Sequence, residues 1–431
     1  MALLILFLSI AFFLITGVPI GVALAVAMIV LIIYEPVTSF EFIAQSLYSE
    51  LDNFIFIAIP FFMIAGSIME KGGLSKRLVN AANSIIGNVH GSLGMVAILT
   101  SALFGAVSGS AIATVAAIGS IMIPEMTKEG YDLKYSAGLI AVSGSLGMIV
   151  PPSIPLVVFG VINNISINAL FMSGIGPAIV LTTLLMTVNY FYSKKRGYGD
   201  NTNDKKINLR NIVKNVWDAK WALFMPIIIL GGIYSGVFTA TEASVVACTY
   251  GIIVGFFIYK ELTFKSLWEV YKSTTSFSGA MMFTFAPAGA LGAMFSYLNV
   301  PNTIKEGMFN ITSNQIGILL MIFVILVIAG MFMETSPIII ILSPLLMTIA
   351  LEIGVNPVHF GIFMVTSVVL GIVTPPVALN LFVAQTLTGI NMMKIARVAT
   401  PFIIVFFITA LLVMFFPDIS LLLLRILNIP H

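Results

Sequence analysis

The sequence predicts an all-α polytopic membrane protein built from two inverted-topology repeats, each with a re-entrant helical hairpin and a broken helix. Three observations support this prediction. The composition is that of a membrane protein, two apolar stretches are too long to be single membrane helices, and the sequence matches itself at a shift of 224 residues.

The composition excludes a soluble enzyme. Of the 431 residues, 59% are hydrophobic and only 9% are charged, whereas a soluble domain has roughly 25% charged residues. At ~20 residues per helix, the apolar residues suffice for about a dozen membrane passes. The single cysteine and the three scattered histidines argue against a disulfide framework or a Cys/His metal cluster. The net charge of +2 gives no support for a nucleic-acid partner.

Two apolar stretches predict re-entrant hairpins. As one helix, the stretch 92–126 would be ~52 Å long, against a hydrocarbon core of ~30 Å. Its middle, Val107–Ala111, consists of small and polar residues at which a helix can break. The stretch 316–353 repeats the pattern around Glu334–Pro337. By contrast, we interpret the first 33 residues as one retained span and not as a signal peptide.

The basic residues predict the orientation, because Lys and Arg in short loops stay on the cytoplasmic side. If both hairpins return to the side they left, five loops share one side and contain 18 of the 20 basic residues; these loops are 71–91, 127–134, 194–220, 260–274 and 389–397. Only Lys305 and Arg425 fall on the other side. The N-terminus is therefore predicted to be cytoplasmic.

The internal repeat divides the chain. A shift of 224 residues aligns Gly147 and Pro151–Pro152 with Gly371 and Pro375–Pro376 without a gap. In the predicted topology the matched elements run in opposite directions, which is typical of secondary transporters. The predicted units are a first repeat at 1–193 with a broken helix at 135–163, a cytoplasmic linker at 194–220, a connecting helix at 221–236, and a second repeat at 237–431 with a broken helix at 359–388.

Each Pro-Pro pair must unwind its helix, because proline removes a hydrogen bond and clashes with the preceding turn. The freed carbonyl oxygens at membrane depth need a partner, and carbonyl oxygens are suitable ligands for a singly charged cation such as sodium. The alternative is a proline kink that packs against a neighbouring helix. Helices beginning at Ala111 and Ile338 would direct free N–H groups at an anionic substrate; alternatively, the hairpin hydroxyls only pack helices together.

Three glutamates in or beside the apolar runs need separate interpretation. Glu70 adjoins Lys71 at a span end and is interpreted as interfacial. Glu242 and Glu334 are predicted to lie deeper, where an ionised side chain is by default functional. The polar run from Gly199 to Asn215 is interpreted as a solvated linker.

Over its whole length the chain resembles the large membrane subunit of tripartite ATP-independent periplasmic (TRAP) transporters. The segments that carry the resemblance are Ile59–Met63 with Gly66, Phe104–Ala111, Pro151–Ser153, Gly236–Ala243 and Gly371–Pro376.

The resemblance implies an elevator-type ion transporter fold, in which a domain of hairpins and broken helices slides against a scaffold. It also implies sodium-coupled uptake of an organic acid, such as a C4-dicarboxylate or sialic acid, across the bacterial inner membrane. A periplasmic substrate-binding protein would deliver the acid, and a small four-helix membrane subunit would brace the scaffold. No segment resembles that small subunit.

Carried over residue by residue, the resemblance implies three sites. The first sodium site would use Ser108, Ser110, Gly147, Val150 and Pro152, and the second Glu334, Gly371, Thr374 and Pro376. Substrate would lie near Ser110, Ser153, Thr335, Ser336 and Asn380. No basic residue falls between the hairpin tips, so carboxylate recognition would depend on hydroxyls, helix ends and sodium ions.

Two alternatives remain open at this point. Re-entrant hairpins also occur in channel-like solute facilitators, which would not accumulate substrate when sodium alone is imposed as a gradient. A membrane enzyme would need a nucleophile, an acid or a metal cluster within the bilayer, and the sequence has no signature such as H-E-x-x-H. We therefore expect a transporter that is not an enzyme.

Overall fold

A computed structural model describes residues 2–34, 38–87, 89–199, 209–427 and 429. Throughout these ranges the regular structure is helical, in 22 α-helices with one short 3₁₀ turn and one π turn. Nine helices in the described ranges are long and apolar enough to cross a membrane. The prediction of an all-α polytopic membrane protein is therefore confirmed.

The first half of the chain, up to the linker, contains eleven helices. Their bounds are α1 Ala2–Ile15, α2 Ile20–Tyr34, α3 Phe40–Leu51, α4 Ala58–Lys71, α5 Leu74–Ile86, α6 Ser92–Ser108, α7 Ala111–Lys128, α8 Leu133–Ser143, α9 Leu146–Ile149, α10 Ile154–Ile162 and α11 Ile167–Arg196.

The second half contains another eleven. They are α12 Leu209–Asp218, α13 Lys220–Tyr234, α14 Ala240–Ile253, α15 Phe264–Tyr297, α16 Val300–Ile311, α17 Gln315–Phe332, α18 Thr335–Glu352, α19 Pro357–Gly371, α20 Leu379–Thr388, α21 Met392–Phe415 and α22 Asp418–Ile426. The 3₁₀ turn Phe54–Ile57 precedes α4, and the π turn Val254–Ile258 follows α14.

Helix boundaries lie close to the positions at which the sequence predicts the hairpins and broken helices. Adding 224 to the bounds of α6–α7, which are 92 and 128, gives 316–352, and α17–α18 occupies 315–352. The same addition moves α8–α10 from 133–162 to 357–386, and α19–α20 occupies 357–388. The bounds of the elements thus agree with the repeat, and the inverted orientation stays a prediction.

The first 33 residues are not one span, contrary to the sequence interpretation. α1 and α2 are separate helices that pack against each other. Between them Gly17 has a φ of +81°, which favours glycine, and Pro19 follows as a start for α2. The length argument that predicted both hairpins applies here too, since one helix of this length would exceed the hydrocarbon core.

The predicted loop 260–274 is also too long. α15 begins at Phe264 and is 34 residues long, and Thr263 and Ser266 form a reciprocal cap at its start. Only a short segment therefore separates α15 from the preceding π turn. At the corresponding place in the first half, the chain breaks at Asp52–Asn53 into α3 and α4.

Several basic segments share one end of the molecule. Arg77 forms an ion pair with Glu261, with 2.6 Å between Nη1 and Oε1. The Tyr259 hydroxyl donates to the Asp218 carbonyl at 2.9 Å, and the Gly91 N–H donates to the Tyr198 carbonyl at 3.1 Å. These contacts join segments that the Lys and Arg pattern assigns to a common side.

The linker is only partly irregular. Residues 200–208 of the run from Gly199 to Asn215 lie outside the described residues, whereas 209–218 form α12, which packs against α5. Residues 209–215 are therefore helical, and their interpretation as part of a solvated linker stays a prediction. Ile212 and Val216 share one helix face at the i, i+4 spacing, whereas Arg210 and Lys214 share another, which gives an amphipathic helix.

Each hairpin packs against several helices, among them α4 for the first hairpin and α15 for the second. α6 contacts α4, where a Cβ added at Gly66 would lie 2.9 Å from the Ser108 Cα. In the second half α18 contacts α15. The hairpin tips and the broken helices meet in the interior of the molecule, where Ser108, Thr335 and Ser336 are each at most 1% exposed.

Candidate functional site

The tip of the first hairpin is a cluster of hydroxyl and carbonyl oxygens. Gly109 has a φ of +60° and ends α6, and Ser110 begins α7 as its N-cap by accepting from the Ala113 N–H at 3.4 Å. The Thr114 hydroxyl donates to the Ser110 carbonyl at 2.7 Å. The Ser108 and Thr114 hydroxyls are 3.1 Å apart. The turn therefore gathers several oxygen atoms within a few ångströms.

The first broken helix lies directly against this tip. A Cβ added at Gly147 would clash with the Thr114 hydroxyl and would lie 2.6 Å from the Ser110 carbonyl oxygen. α9 ends at Val150, whose backbone is extended, and the cis Pro151–Pro152 peptide follows. The Ile154 N–H donates to the Gly109 carbonyl at 3.3 Å. Four of the five residues predicted for the first sodium site, Ser108, Ser110, Gly147 and Pro152, thus lie at this junction, and Val150 lies between the last two in the chain.

The tip of the second hairpin differs in its chemistry. Glu334 is the N-cap residue of α18, makes no side-chain cap bond, and is half-buried. α18 begins at Thr335 and not at Ile338 as predicted, because Pro337 suits the first turn of a helix and does not delay its start. A carboxylate therefore stands where the first hairpin has the Ser110 hydroxyl.

The second broken helix faces this tip with its glycine. A Cβ added at Gly371 would lie 2.5 Å from the Gly330 Cα in α17. The Thr374 hydroxyl donates to the Leu370 carbonyl at 2.8 Å, and the Val377 N–H donates to the Met331 carbonyl at 3.3 Å. Pro376 lies in the exposed part of the loop. Gly371 thus lies against the hairpin arm, whereas the Thr374 hydroxyl bonds within its own helix end and Pro376 is exposed.

Two contacts connect the halves at their centre. The Asn380 amide nitrogen donates to the Ala141 carbonyl at 3.0 Å and to the Ser145 hydroxyl at 3.1 Å. The Thr335 hydroxyl lies 3.5 Å from the Met148 sulfur. Substrate residues predicted in the second half therefore touch the first broken helix.

The predicted substrate residues are buried polar groups. Ser153 is buried and its hydroxyl donates to the Met148 carbonyl, while Ser336 is 1% exposed. Asn380 is fully buried, and its side-chain oxygen has no hydrogen-bond partner among the described residues. A buried polar atom without a partner is uncommon and often lies at a functional site.

Sequence reasoning missed the residues that join these groups. Met148 contacts Ser153 and Thr335, and Ala141 with Ser145 holds Asn380. The only available signal was that Ser145 and Met148 flank Gly147 within the broken helix. Their partners are 187 to 239 residues away in the sequence, so no local pattern identifies them.

Glu242 is not a buried functional carboxylate, contrary to the prediction. It is exposed, and its side chain accepts from the Thr239 N–H at 2.8 Å while the Glu242 N–H donates to the Thr239 hydroxyl at 3.2 Å. This reciprocal pair is a capping box that begins α14. The conspicuous Thr-x-x-Glu segment therefore has a structural explanation.

The oxygen-rich breaks suit a hard cation. Among the described residues there is no group of three or more His, Cys, Asp or Glu side chains that could hold a metal ion. Backbone carbonyls and hydroxyls are the donors that the tips provide, and such neutral oxygens are ligands for a singly charged ion. The fold and this site define a polytopic helical membrane protein with paired polar breaks in its interior.

Comparison with known proteins identifies the family. Residues 7–419 match the model of the "Tripartite ATP-independent periplasmic transporter, DctM component" family. The chain therefore belongs to the large permease components of tripartite ATP-independent periplasmic transporters.

Three relatives illustrate the range of this family. The isethionate TRAP transporter permease protein DctMQ of Oleidesulfovibrio alaskensis is 41% identical over 95% of this chain, which covers 64% of that relative. The C4-dicarboxylate permease DctM of Rhodobacter capsulatus is 32% identical over 94% of this chain and 95% of its own. The sialic acid permease SiaM of Vibrio cholerae is 34% identical, with the same two shares of 94% and 95%.

A solved structure shares the fold. The crystal structure of the YdaH transporter of Alcanivorax borkumensis aligns with a TM-score of 0.60 at 13% identity, over 90% of this chain and 89% of that one. The likeness concerns the fold alone.

Proposed function

We propose that this permease imports an organic acid together with sodium ions, by sliding its hairpins and broken helices against the remaining helices as an elevator. The observation that carries the proposal is the contact of the Gly147 backbone with the Ser110 carbonyl and the Thr114 hydroxyl. Such a contact places the short helix α9, directly before the unwound segment at Pro151–Pro152, against the hairpin oxygens.

The first sodium site would be formed by neutral oxygens. The Ser110 carbonyl and the Ser108 hydroxyl face the backbone around Gly147, and Val150 and Pro152 contribute unwound backbone. The second site would combine Glu334 with backbone near Gly371, Thr374 and Pro376 in the other half. A carboxylate adds a full negative charge there, which strengthens binding of a cation in a medium of low dielectric constant.

The substrate would lie where the halves meet. Ser153, Thr335 and Ser336 provide hydroxyls, Asn380 provides an amide, and Ser110 begins the helix α7. Free N–H groups at the start of a helix attract anions. The relatives are named for isethionate, C4-dicarboxylate and sialic acid, all of which are anions, so the substrate class we propose is a small organic anion.

Two protein partners follow from the family. A periplasmic substrate-binding protein would deliver the acid, and a small four-helix membrane subunit would hold the scaffold. This chain covers 64% of the longer DctMQ relative. The proposed location is the bacterial inner membrane with a cytoplasmic N-terminus.

The test is uptake into proteoliposomes containing the chain, its small membrane subunit and candidate binding proteins, under an imposed sodium gradient. We expect accumulation of one organic anion above its external concentration, and little uptake by the chain alone. Equilibration without accumulation would instead identify a channel-like facilitator. Robust uptake of free substrate by the purified chain alone would contradict the proposed requirement for partners.

Orientation has its own measurement. Cys248 is buried, so it is replaced by Ala before single cysteines are introduced. A cysteine at Lys195 is expected to react with an impermeant reagent only from the cytoplasmic side, and one at Asn310 only from outside. The opposite pattern would contradict the inverted repeat.

A further inference from the structure

A polar groove lies away from the hairpins, at the end of the molecule where the basic segments meet. Its walls come from α5, the α12–α13 junction and the segment that follows α14. The cavity has a volume of about 510 Å³. The groove is separate from the candidate sodium and substrate sites in sequence and in the helices that form it.

One wall of the groove is fixed by a dense set of contacts. The Arg77 guanidinium lies 3.8 Å above the Tyr259 ring, donates to the Gly73 carbonyl at 2.9 Å, and pairs with Glu261 at 2.6 Å. The Tyr259 hydroxyl in turn donates to the Asp218 carbonyl. These bonds leave little freedom to Arg77, so the wall is preformed.

Two lysines in the lining have no such partner. Neither the Lys76 nor the Lys220 ammonium is paired with a carboxylate among the residues that the structure describes. The Lys220 nitrogen lies 3.6 Å above the Trp217 ring and 5.4 Å from the centre of the Trp221 ring. Both indoles therefore hold this cation at the groove without neutralising it.

The remaining charge of the lining is positive. After Arg77 and Glu261 pair, Lys76 and Lys220 stand against Asp218 alone. The side-chain amides of Asn80 and Asn215 also line the groove and add N–H donors. Unpaired ammonium groups with nearby amide donors are suited to a phosphate or another small oxyanion.

The position of the groove favours a phosphate that belongs to a lipid. Lys220 is the first residue of the apolar helix α13, which is bent by 56° from α12. Trp217 is 66% exposed and Phe257 is 73% exposed beside the groove. Tryptophan and other aromatic residues are enriched at the level of the lipid headgroups, and Lys220 at the start of a span lies at that level.

We propose that this groove binds the phosphodiester of an anionic phospholipid such as phosphatidylglycerol. Lys76 and Lys220 would hold the phosphate, and the exposed aromatic side chains would contact the adjoining acyl region. Inorganic phosphate shares the chemistry of the headgroup but would make no use of the aromatic rim. The proposal is independent of sodium coupling and of the transported substrate.

The three tryptophans of the chain allow a direct measurement on the full-length protein. A Trp268→Phe variant retains Trp217 and Trp221 as reporters at the groove. It is reconstituted into phosphatidylcholine vesicles with a small fraction of brominated phosphatidylglycerol, whose bromines quench nearby indole fluorescence. The reference is the same fraction of brominated phosphatidylcholine. We expect phosphatidylglycerol to quench at roughly one fifth of the concentration or less, since each basic residue contributes about fivefold near a lipid surface.

Matched variants assign the effect to the groove. Lys76→Gln and Lys220→Gln in the same background are each expected to reduce the preference for phosphatidylglycerol by about fivefold, whereas Lys220→Arg retains it. A Trp217→Phe/Trp221→Phe variant reports only from Trp268, which is 71% exposed in α15. At Trp268 we expect a weaker preference for phosphatidylglycerol. The control Lys265→Gln is expected to change that preference as much as Lys76→Gln does.

Three results would overturn the proposal. The first is equal quenching by the two brominated lipids in the Trp268→Phe protein. The second is a preference that survives both lysine-to-glutamine changes. The third is loss of the preference in 10 mM inorganic phosphate at constant ionic strength, which would show that the groove takes a soluble anion instead.

Discussion

The two hairpin regions have helix breaks at corresponding positions, but they differ in how deeply the adjoining Pro-Pro loop is buried. In the first, Pro151, Pro152 and Ser153 are all buried, and the tip presents hydroxyls and carbonyls. In the second, Pro376 is exposed, Val377 is 39% exposed, and the tip presents the Glu334 carboxylate. A repeated backbone break therefore supports two different environments, one enclosed and neutral, the other more open and acidic.

Close glycine contacts are a feature that the two halves share. Gly147 in α9 lies against Ser110, and Gly371 at the end of α19 lies against Gly330, because helical backbone can approach a hairpin this closely only where no Cβ intervenes. The polar groups at the two tips differ, with Ser110 in the first hairpin and Glu334 in the second.

The largest expected effect is that of a methyl group at the enclosed break. Gly147→Ala would push a Cβ into the Thr114 hydroxyl and the Ser110 carbonyl, and overpacking of about 1–3 kcal/mol corresponds to a loss of roughly five- to more than a hundredfold in sodium affinity. The measurement is initial uptake rate against sodium concentration. Gly231→Ala, with no atom within 4 Å of the added Cβ, is the control and should transport normally.

Substitutions in the two Pro-Pro loops test directly whether burial of the loop matters for uptake. Pro152→Ala allows the buried segment to rewind and withdraw its carbonyls into helical bonds, so we expect about a tenfold loss of uptake that high sodium does not restore. Pro376→Ala alters an exposed loop, where substitutions change stability by about 0.5 kcal/mol, or roughly twofold. Equal losses at matched expression would show that the difference in exposure has no functional meaning.

The tip hydroxyls are expected to have an effect that raised sodium restores. Ser110→Ala removes one hydroxyl near several carbonyls, which corresponds to about 1–2 kcal/mol or roughly five- to thirty-fold in sodium affinity. Thr374→Ala is expected to shift the sodium dependence in the same direction in the second half. Ser110→Thr keeps the hydroxyl and should stay close to the parent. An unchanged sodium dependence in both alanine variants would show that these hydroxyls pack helices together and do not bind sodium.

The smallest change in stability is expected at Asn380. Asn380→Leu loses two hydrogen bonds of about 1 kcal/mol each, but it also removes a buried oxygen without a partner, which costs about 1–3 kcal/mol. Thermal unfolding should therefore change little while uptake falls several-fold. Asn163→Leu is the matched control, since Asn163 donates to Ser343 across the halves at the opposite end of α10 from Ser153. Equal uptake by both variants would show that Asn380 does not contribute to the substrate site.

The sequence predicts the hairpins and broken helices because their signals are local. A run too long for the bilayer must turn, and a Pro-Pro pair must unwind, so 92–126 and Pro151–Pro152 were located correctly. Glu242 was misplaced although its Thr-x-x-Glu capping box was readable, because the surrounding apolar residues suggested burial. The same local reading missed the amphipathic pattern of α12.

Other features depend on tertiary packing that no sequence pattern contains. Asn380 meets Ser145 across 235 residues, and Thr335 meets Met148 across 187. Whether a Pro-Pro loop is buried or exposed is likewise decided by its neighbours. Membership of the family indicates which residues are functional candidates, and tertiary packing determines which residues each of them contacts.

The amide of Asn380 also has a consequence for biosynthesis. Chains are synthesised from the N-terminus, so the Ala141 carbonyl and the Ser145 hydroxyl are made before Asn380. A polar amide that enters hydrocarbon alone is costly, and these two acceptors are the partners that await it. Insertion of α20 is therefore favoured when these acceptors of the first half are already in the bilayer.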